Sequence, residues 1–198
     1  MTKKAAIGLR AHSGWAALVA LTGLGDSPEV IARRRIEIAD PGIRGSKQPF
    51  HAAEPLEFSD AKAYIEQCVA STQRLAREAL RAAMDGLRDR RMEPMACGII
   101  LGSGRTLPGL EAILKSHALI HTAEGEFFRN ALVEASGHCG LPVLGVKEKE
   151  LFERGAAHFR SKMSELERRV QEMGKSLGPP WTQDQKYAAL VAWMALGA

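Results

Sequence analysis

Aromatic residues are scarce: Phe, Trp and Tyr together make up 6% of the 198 residues. They do not interleave with basic residues, so no platform for stacking single-stranded bases is visible. Cysteine is scarce too. The three present, Cys68, Cys97 and Cys139, are odd in number and lack metal-ligand spacing. That argues against a disulfide framework and a zinc site built on thiols, and the thiols read as reduced in a cytoplasmic protein. No apolar run reaches the length of a bilayer; the longest late one, 187–196, is far too short, so no membrane partner is expected. Lys3 and Lys4 precede an apolar stretch, but Arg10 and His12 interrupt it, and a cleaved leader is not expected. Repeats and low-complexity tracts are absent. Neither sign of charge dominates: 27 Lys and Arg against 23 Asp and Glu leave a net +4. A mildly basic chain is compatible with an anionic partner without demanding one.

What is present is an ordinary globular chain, 45% hydrophobic and 25% charged, long enough to bury a core without staples. Two short apolar runs, 5–10 and 15–22, flank a knot holding Arg10, His12 and Gly14, and read as strand, tight turn, strand. A third strand follows at 29–39, with Val30, Ala32, Arg34, Ile36 and Ile38 on one parity facing the core. A Pro- and Gly-rich loop spans 40–59 and contains Phe50, His51 and Glu54. Ser59 and Asp60 offer an N-cap for a helix running to about residue 92, with apolar positions at helical spacing. Residues 96–102 are apolar on both parities, as in a strand covered on both faces. A helical region over about 109–138 ends at a glycine stop, Gly140, and a short strand follows at 142–146. The stretch 148–177 reads as a long helix charged with both signs. After the break at Gly178-Pro179-Pro180, Thr182 and Gln185 have capping-box spacing for a last helix.

The order is βββαβαβα, with helical crossovers joining the first, fourth and fifth strands in parallel. The expected fold is a mixed five-stranded α/β sheet with helices on both faces and a long charged C-terminal helix. One domain is expected over 1–198, with the sheet and its helices in 1–146 and a helical part in 147–198. Ligands in such sheets bind beyond the carboxyl ends of the strands where strand order reverses. Those ends carry Arg10, His12, Ser103 and Arg105. Two arginines and the glycine-flanked amides of Gly102 and Gly104 suit a small anion, so Arg10, Ser103 and Arg105 are ligand-binding candidates. The alternative makes Arg10 a salt-bridged core residue paired with Glu124 or Asp184.

The most informative local pattern is His117, His121 and Glu124, titratable groups at i, i+4 and i+7 in the middle of an apolar helical face. Burying them requires partners. A structural polar network, a ligand or substrate site, and a metal site are three readings. The metal reading has least weight because the string His-Ala-Leu-Ile-His lacks the glutamate of the zinc-protease motif. A fourth reading has Thr122 capping a new helix. His12, His117, His121 and Glu124 are the catalytic candidates, and His117 is expected in the crevice with Arg10 and His12. Ser13-Gly14-Trp15 is no nucleophile elbow. Cys97 reads as core. His51 and Glu54 are loop residues with the option of closing over the crevice, and Arg33-Arg34-Arg35 reads as a charged sheet exterior.

The string Ile7-Gly8-Leu9-Arg10-Ala11-His12-Ser13-Gly14-Trp15 resembles the opening of Holliday-junction resolvases in the ribonuclease H-like superfamily. Those begin with an apolar-Gly-apolar-Asp strand, a turn with Ser and a strand of small residues. Asp184 followed by Tyr187-Ala188-Ala189-Leu190 is similar to their alanine-rich last helix. The resemblance implies a ribonuclease H-like fold. It also implies that Arg10 stands where the family holds a metal-binding carboxylate, and that only Asp184 and Glu66 lie near other ligand positions. Two-metal cleavage needs several converging carboxylates and is therefore not expected. The expected protein binds a nucleic acid or a small anionic ligand at the crevice, with neither metal nor cofactor. The alternatives are a hydrolase or other enzyme using the His/Glu cluster, and an interaction module that docks a protein partner or a second copy through the C-terminal helix.

Overall fold

A computed structural model of the chain describes residues 2–23, 27–104 and 106–197. The first three strands are β1 (Lys3–His12), β2 (Trp15–Thr22) and β3 (Glu29–Glu37). Gly14 takes φ 84 between β1 and β2, a conformation that favours glycine. The helices α1 (Pro49–Ala53) and α2 (Phe58–Arg88) follow, then β4 (Met92–Leu101). After it come α3 (Leu110–Leu114), α4 (His117–His138) and β5 (Val143–Lys147). A 3-10 turn at Glu148–Glu150 leads into α5 (Leu151–His158), α6 (Met163–Met173), a second 3-10 turn at Lys175–Leu177 and α7 (Gln183–Leu196). The sheet order is β3-β2-β1-β4-β5, antiparallel among the first three strands and parallel across β1, β4 and β5. This is the mixed five-stranded sheet that the element order implies.

Each sheet face has its own core. Ile7 and Leu9 of β1, Leu18 of β2 and Ile99 of β4 pack with Leu80, Met84, Phe128 and Leu132 of α2 and α4. Val19, Leu21, Ile100 and Val146 pack on the other face with α5, α6 and α7. Gly8 and Gly98 are register partners on this second face. A Cβ on Gly8 would lie 1.8 Å from the Ala188 carbonyl oxygen, and one on Gly98 would lie 2.3 Å from that of Val191. The two glycines form a floor on which the backbone of α7 rests, and the small residues of that helix make the approach possible. Among the described residues no helix is long and apolar enough to cross a membrane.

Several elements depart from the sequence expectation. Val30 does not share a face with Ala32, Arg34 and Ile36. A bulge shifts the β2–β3 register between Ala20 and Leu21, and Val30 joins the α7 side of the sheet. The helix expected to reach about residue 92 ends at Arg88, because Arg91 adopts φ 58 and β4 starts before Pro94. Pro94 is tolerated there because the β1–β4 register shifts beside it. The helical region over 109–138 is broken at 115–116, not at Thr122, whose hydroxyl donates to the Ala118 carbonyl inside α4. The charged stretch 148–177 is divided instead of forming one long helix. Arg160, at φ 49, closes α5 with paired bonds from Ser161 N–H to the Ala156 carbonyl and from Arg160 N–H to the Ala157 carbonyl. The loop over 40–59 is structured. Asp40 accepts bonds from Ser71 Oγ at 2.7 Å and the Gly42 amide at 2.9 Å, which hold its carboxyl below the ordinary range. The last helix opens on the expected capping box of Thr182 and Gln185.

Candidate functional site

Strand parity divides the candidate residues between two places. Arg10 and His12 share the parity of Gly8 and lie on the α7 side of the sheet. Arg10 is 15% exposed at its side chain and reaches two carboxylates. Its Nη2 donates to Glu148 Oε1 at 2.9 Å, its Nε to Glu148 Oε2 at 3.3 Å, and its Nη1 to Asp184 Oδ1. The guanidinium also lies 5.0 Å from the centre of the Tyr187 ring. His12 Nε2–H donates to the same Asp184 oxygen at 2.9 Å. Of the two partners considered for Arg10, Asp184 is the one it meets. Glu124 lies on the other side of the sheet.

Cross-strand pairing extends this end of the sheet. His12 and Trp15 are register partners, with rings stacked 4.3 Å apart. The Arg35 guanidinium of β3 sits 4.0 Å from the centre of the Trp15 ring and bonds Glu37. His12, Trp15 and Arg35 therefore form a partly exposed aromatic and cationic row beside Arg10. Ser103 is exposed at the end of β4. Arg105 lies outside the described residues. Glu66 is exposed on α2, with Lys62 at 4.0 Å.

The second place is the junction of α1 and α4, on the opposite side of the sheet. His117 and His121 are one helical turn apart and exposed, with their Nε2 atoms 3.0 Å apart. His51 joins them from α1, its ring centroid 5.4 Å from that of His117 and 4.8 Å from that of His121. One ring nitrogen from each of the three lies within 4.8 Å of the others, the one such convergence of three or more metal-ligating groups among the described residues. Glu124 is 5% exposed and sits behind His51. Its Oε1 accepts the backbone N–H groups of Phe50 at 2.9 Å and His51 at 3.1 Å, and His51 Nδ1–H at 3.2 Å. Burial raises the Glu124 pKa, and the bonds from His51 and Phe50 oppose that rise. Its Oε2 is buried with no partner among the described residues.

A cleft of about 340 Å3 opens between α1, α2 and α4, lined by Phe50, Val69, Thr72, Leu107, Phe127 and Asn130 among others. Its wall residues Phe50 and Ala123 directly precede His51 and Glu124 in the chain. Cys97 is fully buried, and burial pushes its thiol up to about 12.

The sequence marked His117, His121, Glu124, Arg10 and His12 but joined them in one crevice. The structure keeps the two clusters apart because Arg10 has the parity that meets α7, whereas α4 covers the parity of Leu9. The part of His51 could not be read from a loop 66 positions before His117. The pairing of Glu148 with Arg10, and the Trp15–Arg35 contact, depend on tertiary register that no local pattern encodes.

No protein-family model and no curated protein matches the sequence. Solved structures do. RuvC of Thermus thermophilus is 13% identical, with 96% of this chain and 92% of that chain covered at a TM-score of 0.52. T. thermophilus RuvC in complex with a Holliday junction substrate is 12% identical, with 96% and 91% covered at a TM-score of 0.53. At such identities the likeness speaks for the fold alone: the chain has the ribonuclease H-like fold.

Proposed function

We propose that this chain is a nucleic-acid-binding protein that engages duplex or branched strands at the α7 side of the sheet, without two-metal cleavage. The observation that carries the reading is the row His12–Trp15–Arg35 beside Arg10 at the carboxyl end of β1. It is a column in which Trp15 lies between the His12 ring and the Arg35 guanidinium, and its exposed Arg35 end supplies a cation for a phosphate. A net charge of +4 and a structural neighbour that holds a Holliday junction substrate support the same reading.

Divalent-metal chemistry of the two-ion kind does not fit the residues here. It needs several free carboxylates converging on a pair of ions. Asp184 and Glu148, the acids beside Arg10, are both bonded to its guanidinium, and the acids farther along this end, Glu37 and Glu126, are paired with Arg35 and Arg129. An ion would have to displace Arg10 and then sit beside its positive charge.

The test is a fluorescence-anisotropy titration of a four-way DNA junction, a duplex and a single strand over a salt series. Binding that weakens steeply with salt is expected, strongest for the junction or duplex. Trp15→Ala weakens it, and Arg35→Ala also lowers the slope of log affinity against log salt by about 1. Absence of binding at low salt, or variants that bind as the parent does, would overturn the proposal.

A further inference from the structure

Three imidazoles from two helices meet at the α1/α4 junction, on the side of the sheet away from the surface assigned to nucleic acid. We propose that His51, His117 and His121 bind one divalent transition-metal ion of the zinc class, with Glu124 as the residue that positions His51. Two histidines at i and i+4 on a helix present their rings to one ion, and a third ligand from another element completes a three-nitrogen face. A zinc ion about 2.0–2.1 Å from each nitrogen places the nitrogens about 3.4 Å apart. The three rings already hold nitrogens within 4.8 Å of one another, with His117 and His121 at 3.0 Å. Closing the remainder needs side-chain rotation that exchanges the His117–His121 contact for bonds to the ion, at two residues that are exposed.

Glu124 supplies the second observation. It is buried and spends Oε1 on His51 Nδ1–H and on two backbone amides of α1. That bond fixes the His51 proton on Nδ1 and leaves Nε2 bare for a metal, the carboxylate–histidine arrangement behind many zinc ligands. It also places α1, and with it His51, against α4. The glutamate one turn beyond His121 is thus an outer partner, and the third ligand comes from α1. An all-imidazole set suits zinc, copper, nickel or iron and discriminates against Mg2+ and Ca2+, which take oxygen. Three protein ligands at an exposed position leave a fourth for water or a bound group, and the apolar cleft beginning at Phe50 adjoins it.

The experiment uses the full chain without a histidine tag, stripped of metal by chelation and titrated with Co2+, whose visible absorption reports coordination, then with Zn2+ in competition. One equivalent of Co2+ displaced by Zn2+, with no competition from Mg2+, is the expected result. The double variant His117→Ala/His121→Ala and the single variant His51→Ala lose this binding, with folding checked by circular dichroism. The control His138→Ala retains it. Glu124→Gln keeps the stoichiometry and weakens affinity about 10–100-fold. No stoichiometric uptake, or full uptake by the His117→Ala/His121→Ala double variant, overturns the site. Unchanged affinity in Glu124→Gln overturns the positioning role. None of these outcomes depends on nucleic-acid binding, which is measured separately.

Discussion

Arg10 holds two carboxylates on one side of a sheet, and its removal leaves Glu148 without this partner and Asp184 with His12 alone. Charged groups that lose such a partner in a partly buried site cost stability, here about 1–3 kcal/mol because Asp184 and Glu148 keep some contact with water. Arg10→Ala is therefore expected to lower the urea midpoint with an unchanged slope, and Arg10→Lys to recover part of the loss. Glu124 behaves in the opposite sense. Its folded-state pKa is raised above the ordinary 4.5 by burial. In the window just above 4.5 the folded chain then binds more protons than the unfolded one, so this group's contribution to stability falls as pH rises through that window. In the metal-free protein, comparing Glu124→Gln with the parent from pH 4 to 8 should show this decline in the parent alone. A parallel pair of curves would contradict the assignment. Both residues stood out in the sequence as charges at apolar positions. Their partners did not, since Asp184 lies 174 positions from Arg10 and His51 lies 73 before Glu124.

Helix α7 shows how an element can be specified by what its neighbours lack. Its Ala-rich face meets the sheet over Gly8 and Gly98, where any side chain would collide with helix backbone and not with a flexible tip. Gly98→Ala, and still more Gly8→Ala, should destabilise by about 1–3 kcal/mol, since α7 must lift off the sheet to admit the methyl group. Gly137, inside α4 with nothing within 4 Å of an added Cβ, makes the contrasting case. Gly137→Ala should be neutral or stabilise by up to about 1 kcal/mol, because alanine is the better helix former. Thermal or urea unfolding of the three variants distinguishes tight packing from propensity. The glycine pair was also the overlooked signal in the sequence. Gly8 shares the parity of Arg10, so a small-residue helix seated on Gly8 places Arg10 beside that helix and away from α4. Helical periodicity alone shows that a helix has an apolar side. It does not show which face of the sheet that side covers.

At the scale of the whole molecule, element order carried the topology further than local patterns carried the site. Three consecutive strands with tight turns, then two strands separated by helices, leave few sheets that avoid crossed or left-handed connections, and the order β3-β2-β1-β4-β5 is among them. The exceptions sit where one residue overrides a pattern: the bulge that turns Val30, Arg91 ending α2 early, Arg160 dividing the charged C-terminal stretch. The resulting molecule carries two separate polar centres on opposite faces of a ribonuclease H-like sheet. In the reading argued above, one face binds nucleic acid and is barred from two-metal chemistry by Arg10, and the other holds a histidine-ligated ion. The most direct measurement is a single incubation of a labelled four-way DNA junction with the protein in Mg2+ or Mn2+, divided between a native gel and a denaturing gel. The account predicts a salt-sensitive shifted complex on the native gel and an uncut strand on the denaturing gel. A strand cut by the parent protein and spared by Asp184→Asn would contradict it.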